Sequence, residues 1–181
     1  GTAIKNTEYK IVDYETGKEL GPNELGEVWI RGPQVMKGYL NHPDATARTV
    51  DAEGWLHTGD IGRADDEGYL SVVDRVKELI KYKGFQVAPA ELEAVLLTHP
   101  AIADAAVIPS PDEEAGEVPA AYVVLKGDVT TEEIMAYVAE RVAPHKKIRR
   151  IVIAQQIPKS LSGKILRRVL VEQERAEVAG K

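Results

Sequence analysis

Lys164 is the residue of this sequence best suited to chemistry. It follows Gly163 within Ile157–Arg168, a Pro/Ser/Gly turn running into an apolar, basic stretch. Such a turn can hold one ammonium at a loop tip, where a compact charge can meet a phosphate or carboxylate. The competing reading is a solvated basic loop ahead of a helix. Upstream, Asp60 closes Trp55-Leu-His-Thr-Gly-Asp60. A carboxylate just after a glycine turn can accept two hydrogen bonds, which suits a sugar diol, or it can cap the turn. Arg75 follows Asp74 and by itself reads as half of an exposed ion pair of little worth. Lys77, Lys81 and Lys83 fall at a period of two, which places them on one face of an extended ribbon, catalytic or merely solvated. Gly84, before Phe85 and Gln86, removes a side chain where a backbone or ligand would pass closely.

Other chemistries find less support. His42, His99 and His145 stand near prolines in loops or at element ends and read as surface residues, while His57 either lines a site or shapes its turn. No histidine pair has metal-ligand spacing, so no metal site is expected within the chain. The absence of cysteine excludes disulfides, thiolate metal ligands and a nucleophilic protein thiol. The net charge of −6 argues against a nucleic-acid partner, which rewards a basic excess. No apolar run approaches the roughly 20 residues of a bilayer span, and no targeting signal is visible, so a cytoplasmic location is expected.

Two regions must position these residues. In the first, Tyr9–Asp13 and Glu27–Arg31 read as strands joined by the turn-rich Glu15–Asn23. Pro43–Thr49 suits one or two helical turns, and Asp60–Ala64 and Gly68–Val73 form a hairpin around Asp65–Gly68. The pattern changes near Arg75–Lys77, dividing the chain into residues 1–76 and 77–181. Beyond it, Glu78–Val87 reads as a β-ribbon and Pro89–His99 as a helix with Leu92, Val95 and Leu96 on one face. Ile102–Pro109, Val118–Lys126 and Ile148–Gln155 read as three longer strands. Between the last two, Thr130 and Glu133 form a capping-box signature for a helix carrying Ile134, Val138 and Val142. Ile165–Val178 reads as a final amphipathic helix, completing an α+β fold. The chain opens Gly1-Thr2-Ala3 and enters strand-like sequence at once, as a piece of a longer protein would.

The Trp55–Asp60, Asp74-Arg75, Ile80–Gln86, Val87–Glu93 and Ile157–Arg168 segments, in this order, strongly resemble the adenylate-forming acyl-CoA synthetases. The likeness is greatest to the branch containing 4-coumarate–CoA ligases and beetle luciferases. It covers essentially the whole chain but only about the last third of a typical member. The resemblance implies the β-rich end of a large N-terminal domain followed by a small mobile α+β lid, a three-stranded sheet with helices and a β-ribbon. It implies that a carboxylic acid (hydroxycinnamate, another aryl acid or a fatty acid) is activated by ATP and passed to coenzyme A. Lys164 would catalyse adenylation, and Asp60 and Arg75 would hold the ribose of ATP. Lys77 would contact the nucleotide and form the hinge, Lys81 and Gln86 would face the acyl-adenylate, and Lys83 and Gly84 would meet coenzyme A. Mg2+, the phosphate loop and most of the acyl pocket would belong to the missing N-terminal domain. Leu161 departs from the family, which often has proline there. The alternatives are a luciferase-like oxygenase, an amino-acid-activating domain, disfavoured by the Lys81–Pro89 sequence, and a non-catalytic lid or interaction module.

Overall fold

A computed structural model describes residues Gly1–Ala179. The chain divides into two compact units, Gly1–Lys77 and the segment from Glu78 onward.

The first unit is a four-stranded antiparallel sheet, β1 (Glu8–Val12), β2 (Gly26–Arg31), β3 (Leu56–Ala64) and β4 (Leu70–Arg75), paired in that order. A short helix, α1 (Pro43–Thr49), begins at its proline, where a missing N–H costs nothing. Ile11, Val12, Val28, Trp55 and Ile61 are the buried hydrophobic side chains of this layer. The pairing of β2 with β3 jumps from Trp29–His57 to Glu27–Ile61, so β3 carries extra residues around Thr58, Gly59 and Asp60. Gly59, with φ of 71°, takes up the left-handed backbone that this irregularity requires. The sequence pattern alone places the start of this strand at Asp60. It starts at Leu56, and Asp60 sits inside it at the bulge.

The second unit is α+β, as expected. A two-strand ribbon, β5 (Ile80–Tyr82) and β6 (Phe85–Val87), is followed by helix α2 (Pro89–Leu97) and the long hairpin β7 (Ile102–Asp112) and β8 (Gly116–Leu125). Helix α3 (Thr131–Ala139), strand β9 (Arg150–Ile153) and helix α4 (Arg167–Ala179) complete it. β8 is central: it pairs antiparallel with β7, parallel with β9, and touches β5 through Tyr82–Gly116. Leu92 and Leu96 of α2 and Ile134 and Val138 of α3 are fully buried with Val107 and Val123. Each such side chain contributes about 1.5–3 kcal/mol by leaving water. The capping box of α3 is complete: the Glu133 N–H donates to Thr130 Oγ1, and the Thr130 N–H donates to Glu133 Oε2.

On the opposite face of the sheet, α4 is fastened by a fully buried carboxylate, Glu174. Ser110 and Tyr122 hydroxyls donate to it at 2.6 and 2.8 Å, and Arg150 Nε lies 3.2 Å away. Burial first, and then the hydrogen bond to Glu174, push the Tyr122 phenol well above its ordinary range, so it remains the donor. A charge buried with every partner in place is tolerated, whereas removal of one partner leaves it uncompensated.

Helix α4 begins later than its apolar pattern suggests. Ile165 forms a β-bridge with Lys159, and the Leu166 N–H donates to Pro158 O, so these residues close the Lys164 loop before the helix starts at Arg167.

Candidate functional site

The expected site residues occupy three places, one in the first unit and two in the second. In the first unit, the β3 bulge turns Asp60 toward Arg75, its cross-strand neighbour on β4, and Arg75 Nε lies 3.1 Å from Asp60 Oδ1. Asp74, the expected ion-pair partner of Arg75, is buried and instead accepts the Arg75 backbone N–H at 2.8 Å. The bulge is held from below. Thr58 donates through Oγ1 to Val28 O at 2.6 Å and accepts the Asp60 N–H at 3.1 Å. Glu27 accepts the Gly59 N–H at 2.8 Å. Asp60, Arg75 and Lys77 all border an open cleft of about 860 Å³, lined also by His57, Gly59, Tyr39 and Arg48 of the same unit. A carboxylate and a guanidinium side by side at the edge of such a cleft can receive a hydroxyl pair and a phosphate.

His57 stacks on Trp29 at 3.7 Å with an interplanar angle of 14°. Its Nε2 stands 3.6 Å from Asp51 Oδ2, an electrostatic approach longer than a hydrogen bond. Burial acts to raise the Asp51 carboxyl, but N–H donors from Trp55 and Glu53, together with His57, outweigh it and hold the pKa below the ordinary value. His57 thus both lines the cleft and fixes its turn.

The ribbon of the second unit and the turn that precedes it correct two expectations. The three lysines do not share a strand face: Lys77 lies in a 3-10 turn, Val76–Glu78, and Lys83 lies in the hairpin turn. Only Lys81 is on a strand, paired with Gln86, and both are exposed. Lys83 and Gly84 have φ of 47° and 82°, the two positive values of a type I′ turn, whose twist matches its flanking strands. Gly84 therefore answers a backbone requirement. No heavy atom lies within 4 Å of where its Cβ would stand, so no neighbouring segment of this chain crowds it. Bonds to β8 and to the β7–β8 turn secure the ribbon: the Lys81 N–H donates to Glu117 at 2.9 Å and the Lys83 N–H to Ala115 O at 3.0 Å. The Lys83 ammonium pairs with Glu114, whose hydrogen bond raises its pKa. Phe85 stays half exposed and stacks on His145.

The Lys164 loop is a closed turn. The Ser160 N–H donates to Lys164 O at 2.8 Å, the Gly163 N–H to Ser160 O at 2.9 Å, and the Lys164 N–H to Ser160 Oγ at 3.2 Å. Gly163 has φ of 81° in this turn. Lys159, at the loop's base, is bound to Asp104 at 2.6 Å. Lys164 is exposed, and its ammonium has no partner among the described residues. Sequence reasoning missed the support beneath it, Arg167, which pairs with both Glu93 and Glu78. Burial acts to lower the Arg167 pKa, and the hydrogen bonds and charges of the two glutamates more than reverse it. The available signal was a second basic residue one helical turn after Lys164, at the start of an amphipathic helix. Among the described residues no group of three or more His, Cys, Asp or Glu side chains could hold a metal ion, and no helix is long and apolar enough to cross a membrane.

Comparison with known proteins matches residues 91–164 to the family described as AMP-binding enzyme C-terminal domain, and residues 1–40 to that described as AMP-binding enzyme. A 4-coumarate–CoA ligase of Vanilla planifolia is 60% identical over 172 residues, 94% of this chain and 31% of that protein. A 4-coumarate–CoA ligase 1 of Glycine max is 58% identical over 182 residues, 99% of this chain and 61% of that protein. Among solved structures, o-succinylbenzoate CoA synthetase from Bacillus subtilis with its acyl-adenylate intermediate superposes with a TM-score of 0.85. The two are 40% identical, over 94% of this chain and 34% of the synthetase. The chain thus spans between about a third and three-fifths of the length of these relatives.

Proposed function

Because the chain belongs to the AMP-binding, adenylate-forming enzymes, we propose that it is the C-terminal portion of an ATP-dependent acyl-CoA ligase. Residues 1–76 would be the β-rich end of the large adenylation domain, and residues 77–181 the mobile lid. The observation that carries this reading is the unpartnered Lys164 ammonium. Lys83, Lys146 and Lys159 of the same unit are bound to Glu114, Glu91 and Asp104, whereas the closed 160–164 turn presents Lys164 free.

In the first half-reaction a carboxylate oxygen attacks the α-phosphorus of ATP and pyrophosphate leaves. Both reactants are anionic, and Lys164 offsets their repulsion and the charge that builds on the phosphoryl oxygens. Asp60 and Arg75, ion-paired across neighbouring strands, hold the ribose of ATP, with Lys77 also contacting the nucleotide. In the second half-reaction the thiolate of coenzyme A attacks the acyl carbon, the acyl–phosphate oxygen bond breaks and AMP leaves. Rotation about Lys77 exchanges the Lys164 loop for the ribbon, so that Lys81 and Gln86 face the acyl-adenylate and Lys83 and Gly84 meet coenzyme A. Mg2+, expected with ATP, would be held by the missing N-terminal portion, since no cluster among the described residues fits it. Likeness to 4-coumarate–CoA ligases supports an aryl or hydroxycinnamic acid as substrate.

The test is Lys164→Ala in the whole enzyme. Adenylate formation, read as pyrophosphate release, should fall about 10²–10³-fold, the usual loss for one well-placed transition-state contact. Thioester formation from supplied acyl-adenylate should be largely spared. Equal loss in both halves would remove Lys164 from the catalytic role.

A further inference from the structure

We propose that Arg167 is a positioning residue that ties the Lys164 loop to the chain leaving Lys77, through its ion pair with Glu78. The inference rests on the ligase reading above and adds to it the part that makes a rotation at Lys77 carry Lys164 without slack.

Arg167 is the first residue of α4, and the bond from Leu166 N–H to Pro158 O closes the Lys164 loop immediately before it. Its side chain is only 16% exposed. One nitrogen, Nε, reaches Glu78 Oε2 at 2.6 Å. The other two meet the Glu93 carboxylate, with Nη2 at 3.0 Å from Oε2, and Nη1 also lies 3.3 Å from Val107 O. Glu93 is itself fixed to the core, since it accepts the Val107 N–H at 2.7 Å.

Charge balance alone needs only Glu93. The Glu78 arm has a different consequence, because Glu78 is the first residue beyond Lys77, where the first unit ends. A planar fork fixes direction as well as distance, so one guanidinium holds two points 89 residues apart in sequence in a set relation. These points are the exit of the hinge and the base of the catalytic loop. The ribbon is fastened separately, through Glu117, Ala115 and the Tyr82–Gly116 pair, and does not use Arg167. Loss of the Glu78 arm should therefore disturb one half-reaction and not the other.

The experiment places Glu78→Gln and Arg167→Lys in the whole enzyme, each alone and with Lys164→Ala. Glu78→Gln leaves Arg167 paired with Glu93, so the fold is kept. We expect the kcat of adenylation to fall about tenfold with the KM for ATP unchanged, since displacing a catalytic group by an ångström can cost up to about 10²-fold. Thioester formation from supplied acyl-adenylate should stay within about twofold of the parent, and in the Lys164→Ala background neither variant should lower adenylation further. Arg167→Lys should behave like Glu78→Gln, because a lysine cannot span both carboxylates as a fork. Equal loss in both halves, or a full multiplicative loss on top of Lys164→Ala, would overturn the proposal. Amide exchange supplies a readout independent of catalysis. The Gly163 and Leu166 amides should exchange faster in Glu78→Gln while those of Ala121 and Val123 do not change. Unchanged loop exchange overturns the link, whereas a parent enzyme that releases no pyrophosphate with any acid overturns only the ligase reading.

Discussion

Gly84 offers a way to separate backbone strain from occupied space. Its φ of 82° belongs to the left-handed region, and nothing lies within 4 Å of a Cβ placed there. Gly84→Ala therefore meets no clash, and its cost is the left-handed backbone of an L-residue alone, about 1–2 kcal/mol. In a unit of this size each kcal/mol lowers the melting temperature by about 4–8 °C. Gly84→Trp carries the same backbone cost, because its Cβ stands in the same open space, but it projects an indole from the ribbon tip. The two variants should melt together, several degrees below the parent. If the ribbon borders the path of the coenzyme A thiol, they should diverge in function. Gly84→Ala should still make acyl-CoA, since a loss of that size leaves a unit stable by about 5–15 kcal/mol almost wholly folded. Gly84→Trp should release pyrophosphate but form thioester about 10²-fold more slowly, the scale expected when a reacting group cannot reach its position. The assay pairs pyrophosphate release with acyl-CoA formation on the whole enzyme. Equal thioester rates in the alanine and tryptophan variants would refute the placement, and the glycine would then serve the type I′ turn alone.

Two further outcomes follow from particular residues. The β3–β4 ladder ends at Asp60–Arg75, and Lys77 lies beyond it in a 3-10 turn, so Lys77→Pro breaks no ladder bond. It should slow one half-reaction far more than the other with little change in melting temperature, and parallel loss with a lowered melt would move the hinge elsewhere. Tyr14 is pushed up to about 12 from 10.0, by burial first and then by the charges of Glu15 and Asp13. The folded state thus holds this proton longer than the unfolded state. The stability it contributes is whole below pH about 10 and is lost as pH rises toward 12. Tyr14→Phe should flatten that slope, and a Tyr14 phenolate appearing at the ordinary pKa would contradict the burial argument.

Much of the fold was legible because local chemistry and tertiary packing agree. The Thr130–Glu133 box begins α3 where the pattern places it, and Leu92 and Leu96 mark the face that α2 buries. The failures come where a turn or a closed loop overrides the periodic pattern. Ile165 has the right spacing for a helix, but its bridge to Lys159 keeps it in the loop. Lys77, Lys81 and Lys83 have strand spacing, but a 3-10 turn and a positive φ take two of them out of the strand. Lys164, Asp60 and Gly84 could be picked out because glycine turns flag their positions. Arg167, Glu93 and Glu78 could not be joined, because their pairing depends on how α2 and α4 pack on the sheet, and no local signal encodes that.

The buried Glu174 constrains how this part of the protein could be recombined. Its donors come from β7, β8 and β9, at Ser110, Tyr122 and Arg150. A crossover anywhere between Ser110 and Glu174 would separate the carboxylate from at least one donor unless both parents carry the same residues. The mismatch would leave a buried charge short of partners, at a cost of about 3–5 kcal/mol. Because Glu78 and Glu93 likewise pair with Arg167 of α4, tolerated junctions should lie at the boundary of Lys77 and Glu78, so that ribbon, hairpin, third strand and last helix pass to a descendant as one block.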